Sequence, residues 1–328
     1  MASQARASVA PDLVPPVQPV VARSRAASPG RTRQPTIAEL LSEARRPLFS
    51  FELFPAKDED QERQLWQTVR ELEALGPDFV SVTYGANGSS RDRTIRATEA
   101  IAQHTTVRAV AHLTCASQSK DQLRRVIGSY AAAGIRHILA IRGDMPGGPT
   151  APWEQHPDGL ANATELVTMV RELGDFCIGV AAFPDVHPER RDADLDARIL
   201  VAKAEAGASF AITQLFFTPH RYFDLVERVR ALGCELPIIP GIMPVTRFSQ
   251  IKRFAELSGA DLPSSVTDRL GVVADDERQV RAIGLELATE LSAELLAGGA
   301  PGLHFITMNR SSATREIYAN VRPGLRRA

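Results

Sequence analysis

Polar residues stand at or just after the carboxyl-terminal ends of several short apolar segments in this 328-residue chain. Such segments are typical of buried β-strands, and buried parallel strands are almost purely apolar, so each polar residue there needs an explanation. They are Glu52, Thr83, Tyr84, His112, Thr114, Arg142, Asp144, His187, Gln214, Asn309 and Arg310. Together they supply carboxylic acids, amide and cationic hydrogen-bond donors, and hydroxyl groups.

Glu52 is the best candidate for a general acid. In the segment 48–54 its side chain shares a face with Ser50, while Phe51 and Leu53 take the other face, because side chains alternate along a strand. A carboxyl group that faces the interior is partly desolvated, which raises its pKa and suits proton donation. The alternation is equally compatible with a buried structural ion pair between Glu52 and Arg142.

Two further residues of these segments are informative. His112 shares a face with Thr114, and a buried histidine is more often a satisfied hydrogen-bonding residue of the core than a ligand, so the pattern favours a structural role. Gln214 lies within FAITQLFF (210–217), where an amide with two donors and an acceptor needs partners. A heteroaromatic ring with an amide-like edge would provide them.

Several common kinds of catalytic site lack their residues in this sequence. The histidines are scattered and the HExxH motif is absent, so we predict no metal site. None of the strand-end residues is a lysine, which disfavours a Schiff-base aldolase, and a GxSxG motif is absent as well. The remaining groups suit a site in which a bound organic cofactor carries the difficult chemistry.

The elements that carry these residues alternate between strand and helix. The apolar segments span 48–54, 79–85, 107–115, 137–144, 177–184, 210–217, 237–244 and 302–309, and amphipathic stretches between them include 60–75, 120–133, 195–206 and 219–232. Successive segments begin about thirty residues apart, which is the length of one β-α unit. This alternation predicts a parallel sheet with right-handed crossovers.

Eight such units are the number that closes a barrel, so we predict an α/β fold, a (β/α)8 TIM barrel. The longer gap after 244 contains a helical stretch, 275–298, which predicts extra helices between strands 7 and 8. The competing fold is a doubly wound open sheet. We disfavour it because neither GxGxxG after the first strand nor GxxxxGK[ST] is present.

Composition limits the classes of partner. The chain has 38 basic and 39 acidic residues, which gives no basic excess for nucleic acid, and no apolar run approaches the roughly 20 residues of a membrane helix. Cys115, Cys177 and Cys234 are far apart, which is typical of reduced thiols in a cytoplasmic protein.

The first 36 residues differ in composition from the rest of the chain. They are rich in Ala, Pro, Ser and Arg and contain a single acid, Asp12. Their prolines would break the amphipathic helix of an organelle transit peptide. We therefore predict a disordered tail over 1–36 and one catalytic domain over 37–328.

Eight segments of this chain together resemble the signature segments of bacterial methylenetetrahydrofolate reductases, in order and in spacing. They are SFELFPAK, DFVSVTYGAN, VAHLTC, LAIRGD, GVAAFPDVHPE, AITQLFF, IIPGIMPV and LHFITMNR, and the match runs from about residue 48 to 320. The resemblance implies a flavoprotein that passes hydride from NADH or NADPH to FAD and then to methylenetetrahydrofolate. The product, methyltetrahydrofolate, would serve methionine biosynthesis. Since bacterial relatives are oligomers, the resemblance also implies a homo-oligomer.

The resemblance assigns roles to matching positions. It implies that Glu52 protonates the folate and opens its five-membered ring, and that Asp144 is a second catalytic residue that faces both flavin and pterin. The implied cofactor contacts are Thr83, Tyr84, Ala86, His112, Arg142, Gly143, Asp144, Ala163, Phe183, His187, Asp196, Ala202 and Lys203. The implied substrate contacts are Asp144, Gln214, Gln250, Phe254 and Arg310.

The chain departs from the family pattern at a few positions. SFELFPAK replaces SFEFFPP, and Asn162 and Phe183 stand where tyrosines are expected. Two hydroxyl groups that could help to hold FAD are therefore missing, which leaves open a flavin-independent reductase with direct hydride transfer. Two further hypotheses are a non-catalytic folate- or flavin-binding barrel, and a lyase or aldolase of a different class.

Overall fold

The computed structural model describes residues 34–84, 88–148 and 151–325. Within these ranges the strands are β1 (Leu48–Leu53), β2 (Phe79–Val82), β3 (Ala109–Thr114), β4 (His137–Ile141), β5 (Cys177–Ala182), β6 (Phe210–Thr213), β7 (Ile238–Ile239), β8 (Gly241–Ile242) and β9 (Gly302–Ile306). The helices are α1 (Ile37–Ser42), α2 (Glu59–Glu73), α3 (Gly88–His104), α4 (Lys120–Ala132), α5 (Ala163–Leu173), α6 (Ala193–Glu205), α7 (Pro219–Ala231), α8 (Phe248–Ser258), α9 (Ser264–Gly271), α10 (Glu277–Ala297) and α11 (Ser311–Leu325).

The strands form one parallel sheet that closes on itself. Neighbouring strands follow in the order β7-β6-β5-β4-β3-β2-β1-β9-β8. Only Pro240 separates β7 from β8, and β7 pairs with β6 while β8 pairs with β9, so the two are halves of the seventh barrel strand. The carbonyl of Pro240 accepts a hydrogen bond from the backbone N–H of His304 at 2.9 Å. The predicted (β/α)8 barrel is confirmed, and the open doubly wound sheet is excluded.

Each of the eight predicted segments contains a strand, but several strands stop before the segment does. β2 ends at Val82 and β4 at Ile141, so Thr83, Tyr84 and the segment 142–144 lie in the loops that follow. The extra helices predicted between the seventh and eighth barrel strands are present. The predicted stretch 275–298 corresponds to α10, whereas α8 and α9 are helices that the sequence pattern did not predict.

Side-chain alternation separates the interior of the barrel from its outer face. On β1, Phe51 and Leu53 pack in the main core between strands and helices, whereas Ser50 and Glu52 contact interior side chains. At the amino-terminal end of the barrel the interior is apolar, and α1 covers it with the fully buried Ile37. The polar part of the interior therefore lies toward the carboxyl-terminal ends of the strands, where barrel active sites are found.

The first described helix begins directly after the predicted tail. Thr36 caps α1 in a reciprocal capping box with Glu39, and the backbone N–H of Ile37 donates to Nε2 of His137 at 3.4 Å. Of the predicted tail, 1–36, only residues 34–36 are described, and the others lie outside the described residues. Thr36 is thus part of the folded structure.

Candidate active site

Glu52 lies inside the barrel between two histidines. Its Oε2 atom is 3.6 Å from Nε2 of His112 on β3 and 3.6 Å from Nε2 of His304 on β9. The carboxyl side chain is 15% exposed, so it is mostly removed from water but can still be reached from the rim. Three strands that are remote in sequence thus bring one acid and two bases together.

Below Glu52, the side chain of His304 is fixed on both ring nitrogens. Nδ1 lies 2.7 Å from the hydroxyl of Ser50, Nε2 lies 3.2 Å from the hydroxyl of Ser81, and the ring stacks on Phe79. Neither His304 nor Ser81 is among the residues predicted from the sequence. Both are polar residues in the middle of buried strands, and this signal could have identified them.

The two histidines determine the charge of the cluster. Desolvation raises the pKa of Glu52, but the nearby rings of His304 and His112 outweigh it, so the pKa lies below its usual value. Burial lowers the pKa of His112 to about 4, so this ring is neutral near pH 7. The expectation of a raised pKa for Glu52 is therefore wrong in its net direction, because the strand pattern did not reveal the two histidines that outweigh desolvation.

His112 is not the satisfied core residue that its sequence context favoured. Its Nε2 atom is buried and has no hydrogen-bond partner among the described residues. Buried polar atoms are rarely left without a partner, and an exception points to a missing ligand or to a functional role. His112 therefore has a buried ring nitrogen without a hydrogen-bond partner next to the carboxyl group of Glu52.

The loop after β2 is held by Gln118, which was not predicted from the sequence. The hydroxyl of Tyr84 donates to Oε1 of Gln118 at 3.2 Å, and Nε2 of Gln118 donates to the carbonyl of Thr114 at 2.6 Å. The backbone carbonyl of Thr83 accepts from the hydroxyl of Thr94 at 2.8 Å. These contacts place Thr83 and Tyr84 at the rim, whereas Ala86 lies outside the described residues.

Arg142 does not pair with Glu52. Its guanidinium forms a bidentate ion pair with Glu189 at 2.7 and 2.6 Å, and it lies 4.5 Å from the centre of the Trp153 ring. The hypothesis of a structural ion pair between Glu52 and Arg142 is therefore wrong, because the loops after β4 and β5 place Glu189 against Arg142 instead. Asp144, two residues further along the chain, is exposed, and desolvation raises its pKa.

Gly143 sits at a point of close approach between two loops. Its φ is +82°, and a Cβ atom there would lie 2.6 Å from Cβ of Thr114. Only glycine combines this conformation with this spacing. The missing side chain therefore lets the loop after β4 lie directly against the end of β3.

The residues predicted to hold a diphosphate cluster after β5. The backbone N–H of His187 donates to Oδ2 of Asp196 at 2.6 Å, and Lys203 donates to the carbonyl of Ala181 at 2.9 Å. Burial lowers the pKa of Lys203 to about 8. Ala202 precedes Lys203 on α6, and the rings of Phe183 and His187 meet edge to face at 4.7 Å.

The residue before Ala163 has a structural role. Asn162 is the N-cap of α5, and its side-chain oxygen accepts the backbone N–H of Glu165 at 3.0 Å. Capping of this kind stabilises a helix by about 1 kcal/mol. Asn162 therefore provides a hydrogen-bond acceptor for a free backbone N–H in the first turn of α5. Ala163, which is buried, is the first residue of this helix.

The amide of Gln214 is only partly used within the protein. Its side-chain oxygen accepts the backbone N–H of Leu215 at 2.9 Å, and its side-chain nitrogen has no partner among the described residues. Gln214 is half-buried just after β6, so the nitrogen can donate to a bound molecule.

A cavity of about 350 Å³ contains the other predicted substrate contacts. It lies between the loops after β8 and β9 and the helices α8 and α10, and Gln250, Phe254 and Arg310 line it together. Asp144 and Gln214 do not line this cavity. Of the predicted residues, Glu52 thus lies beside His112, Asp196 lies near His187 and Lys203, and Gln250, Phe254 and Arg310 share the cavity.

The described residues contain no group of three or more His, Cys, Asp or Glu side chains arranged to hold a metal ion. In the same part of the chain, all helices are too short or too polar to cross a membrane. The three cysteines are free.

The closed (β/α)8 barrel carries an interior acid and polar residues at the carboxyl-terminal ends of its strands. These features place the chain in the class of (β/α)8-barrel proteins with an enzyme-like site. Comparison with known proteins narrows this class. The chain belongs to the methylenetetrahydrofolate reductase family, whose model matches residues 37–322.

Curated relatives agree with this family. The 5,10-methylenetetrahydrofolate reductase of Escherichia coli K12 is 40% identical over 278 residues, covering 84% of this chain and 92% of that protein. The methylenetetrahydrofolate reductase (NADH) 1 of Arabidopsis thaliana is 32% identical over 292 residues, covering 86% of this chain and 49% of that protein.

A solved structure shares the fold. An uncharacterised protein from Clostridium thermocellum, described as binding two copies of 5-methyl-5,6,7,8-tetrahydrofolic acid, superposes with a TM-score of 0.61. The alignment covers 89% of this chain and 100% of that one, at 13% sequence identity. At this identity the likeness concerns the fold alone.

Proposed function

We propose that this protein reduces 5,10-methylenetetrahydrofolate to 5-methyltetrahydrofolate, with hydride from NADH or NADPH passing through a bound FAD. The observation that carries the proposal is the placement of Glu52, an acid inside the barrel with the open nitrogen of His112 beside it. Membership of the family and the names of the curated relatives support the same reaction. Supply of the product for methionine biosynthesis and a homo-oligomeric state remain predictions.

The residues on the rim fit a flavin dinucleotide. The unpartnered Nε2 of His112 can meet a heteroaromatic ring, and the buried cation Lys203 suits a diphosphate. FAD would supply the redox chemistry by taking hydride from the nicotinamide and giving it to the folate. We assign its binding to Thr83, Tyr84, Ala86, His112, Arg142, Gly143, Asp144, Ala163, Phe183, His187, Asp196, Ala202 and Lys203.

Glu52 would act as the general acid. The five-membered ring of the folate must lose a C–N bond before its one-carbon unit can accept hydride, and the leaving nitrogen needs a proton. His304, fixed by Ser50 and Ser81, would help to hold the carboxyl group in place, since its Nε2 lies 3.6 Å from Oε2 of Glu52. A bound pterin would cover the exposed side of Glu52 and remove its remaining water, which favours the protonated form.

The other contacts would orient the folate. The free amide nitrogen of Gln214 can donate to the edge of the pterin, and Asp144, whose pKa is raised by desolvation, faces the same rim. In the cavity, Phe254 and Gln250 would contact the body of the folate and Arg310 a carboxylate of its tail.

The test is a separation of the two half-reactions in the purified protein. We expect flavin absorbance, reduction of the flavin by NADH or NADPH, and its reoxidation by methylenetetrahydrofolate with formation of methyltetrahydrofolate. Turnover without flavin would instead favour direct hydride transfer. Binding of flavin or folate without either half-reaction would show a non-catalytic barrel and contradict the proposal.

A further inference from the structure

The chain makes a strained turn between β9 and α11. The backbone N–H of Arg310 donates to the carbonyl of Thr307 at 2.9 Å, which closes the turn. Its two central residues, Met308 and Asn309, have φ of +51° and +54°. Turns of this kind favour glycine, asparagine and aspartate, and other residues there store backbone strain. Such strain persists only where the surrounding contacts hold it, and it is often found at functional sites.

The side chain of Asn309 supplies contacts that hold the turn. Its Nδ2 donates to the carbonyl of Phe54 at 2.8 Å, and its Oδ1 accepts the backbone N–H of Phe54 at 2.9 Å. Phe54 directly follows β1, the strand that carries Glu52. This reciprocal pair of hydrogen bonds therefore fixes the turn after β9 to the carboxyl-terminal end of β1.

The backbone of Asn309 is bound as fully as its side chain. Its carbonyl accepts from Oγ1 of Thr68 at 2.8 Å and from Nε2 of Gln64 at 3.0 Å, both on α2. Its N–H donates to Oγ1 of Thr307 at 3.1 Å, and that hydroxyl donates to the carbonyl of Glu52 at 2.6 Å. One residue thus joins the turn to α2 and to β1.

The turn also determines which side chains face the cavity of about 350 Å³. Thr307, Met308 and Arg310 line this cavity, whereas Asn309 does not. Because Arg310 is exposed, few side-chain contacts fix its position, and the backbone that carries it matters more. The path of the turn therefore decides where Arg310 meets a ligand.

We propose that Asn309 is a positioning residue for the folate half-reaction. In the proposed function Glu52 acts at the ring of the folate and Arg310 binds its tail. Asn309 keeps the two at a fixed separation, since it holds the turn that carries Arg310 against the strand that carries Glu52. A displacement of about 1 Å between such groups can slow a reaction by about 10²-fold. This inference rests on the proposed function.

The test replaces Asn309 with glycine, which adopts positive φ without strain. Asn309→Gly therefore keeps the turn accessible and removes the two side-chain hydrogen bonds to Phe54. In the full-length flavin-loaded protein, we expect reduction of the flavin by the nicotinamide to proceed at the wild-type rate. Its reoxidation by methylenetetrahydrofolate should slow by about 10–100-fold. Calorimetry should show that methyltetrahydrofolate binds the oxidised variant about 3–10-fold more weakly.

Arg191→Gly is the matched control. Arg191, in the loop after β5, also has a positive φ, +52°, but it is exposed and does not line the cavity. Both half-reactions should keep their wild-type rates in this variant. Melting temperatures of the two variants show whether a change in rate reflects loss of folded protein.

The outcomes separate positioning from a purely structural role. Reoxidation by folate at the wild-type rate in Asn309→Gly would overturn the inference. Equal slowing of both half-reactions, together with a lowered melting temperature, would overturn it as well, because Asn309 would then only stabilise the barrel. Reduced flavin that is not reoxidised by methylenetetrahydrofolate in the wild type would instead contradict the proposed function.

Discussion

At the scale of the residue, the proposed role of Glu52 as general acid leads to the most specific prediction about the chemistry. Replacing it with glutamine keeps the shape of the side chain but removes the transferable proton. We expect Glu52→Gln to retain FAD and to be reduced by the nicotinamide at a near-normal rate, because that half-reaction needs no proton from the protein. The folate half-reaction should slow by at least about 10²-fold, as is typical for loss of a general acid.

Stopped-flow measurement of the two half-reactions distinguishes this role from others. If both slow equally, Glu52 positions the flavin, and Asp144 becomes the candidate acid. If neither slows, Glu52 has no part in the reaction. Ser50→Ala is a useful second variant, because it removes the hydrogen bond to Nδ1 of His304 and leaves the carboxyl groups of Glu52 and Asp144 in place.

Lys203 gives a prediction about pH. Burial lowers its pKa to about 8, so in the free protein it is neutral above that pH. A diphosphate favours the protonated form, so binding above about pH 8 must take up a proton. The affinity for FAD should therefore fall by up to about tenfold for each pH unit above this value.

The measurement is titration of apoprotein with FAD across the pH range in wild type and in Lys203→Met. The variant should bind more weakly near pH 7 and lose this pH dependence. Lys120→Met, at the exposed start of α4, is the control and should behave like the wild type. Parallel pH profiles in wild type and Lys203→Met would show that Lys203 is not next to the phosphates.

At the scale of the element, Gly143 couples the loop after β4 to the end of β3. An alanine there would have to adopt φ of +82° and place its Cβ 2.6 Å from Cβ of Thr114, so both backbone strain and overlap oppose it. We expect Gly143→Ala to lower the free energy of unfolding by about 2–4 kcal/mol.

Gly134 offers a matched control for this change. Its φ is +78°, but nothing lies within 4 Å of the position of a Cβ atom, so Gly134→Ala should incur the backbone strain alone, about 1 kcal/mol. Chemical denaturation of both variants measures the difference. Equal losses would show that the close approach to Thr114 relaxes without cost.

At the scale of the whole molecule, α1 closes the amino-terminal end of the barrel. We expect deletion of residues 1–33 to leave the melting temperature within a few degrees of wild type, because that segment has little apolar periodicity and the deletion keeps the Thr36 cap. Deletion of 1–42 removes the fully buried Ile37 and uncovers its apolar partners. That change should cost about 2–5 kcal/mol, the range for large core truncations.

Thermal unfolding of the two deletion variants provides the test. A clear loss of stability in the shorter deletion would show that residues before position 34 pack on the barrel. An unchanged melting temperature in the longer deletion would show that α1 contributes nothing to closing it.

The sequence by itself determined the fold and the direction in which Glu52 points. Strand burial and side-chain alternation are local properties, so eight apolar segments, their polar ends and the shared face of Ser50 and Glu52 could be identified from neighbouring residues. The long gap before the last strand likewise predicted extra helices, although α8 and α9 were missed. The motif resemblance added the family, which the comparisons show.

Only the tertiary structure decided which groups meet. Ser50 and His304 are 254 positions apart and come within 2.7 Å because β1 pairs with β9 when the barrel closes. Closure of the barrel also places two histidines beside Glu52, so that its pKa is lowered where the sequence predicted a raised one. The loops after β4 and β5 are adjacent, and they bring Arg142 and Glu189 together. Such pairings depend on strand register and loop path, which a strand's own residues do not encode, because they are set by packing between distant parts of the chain.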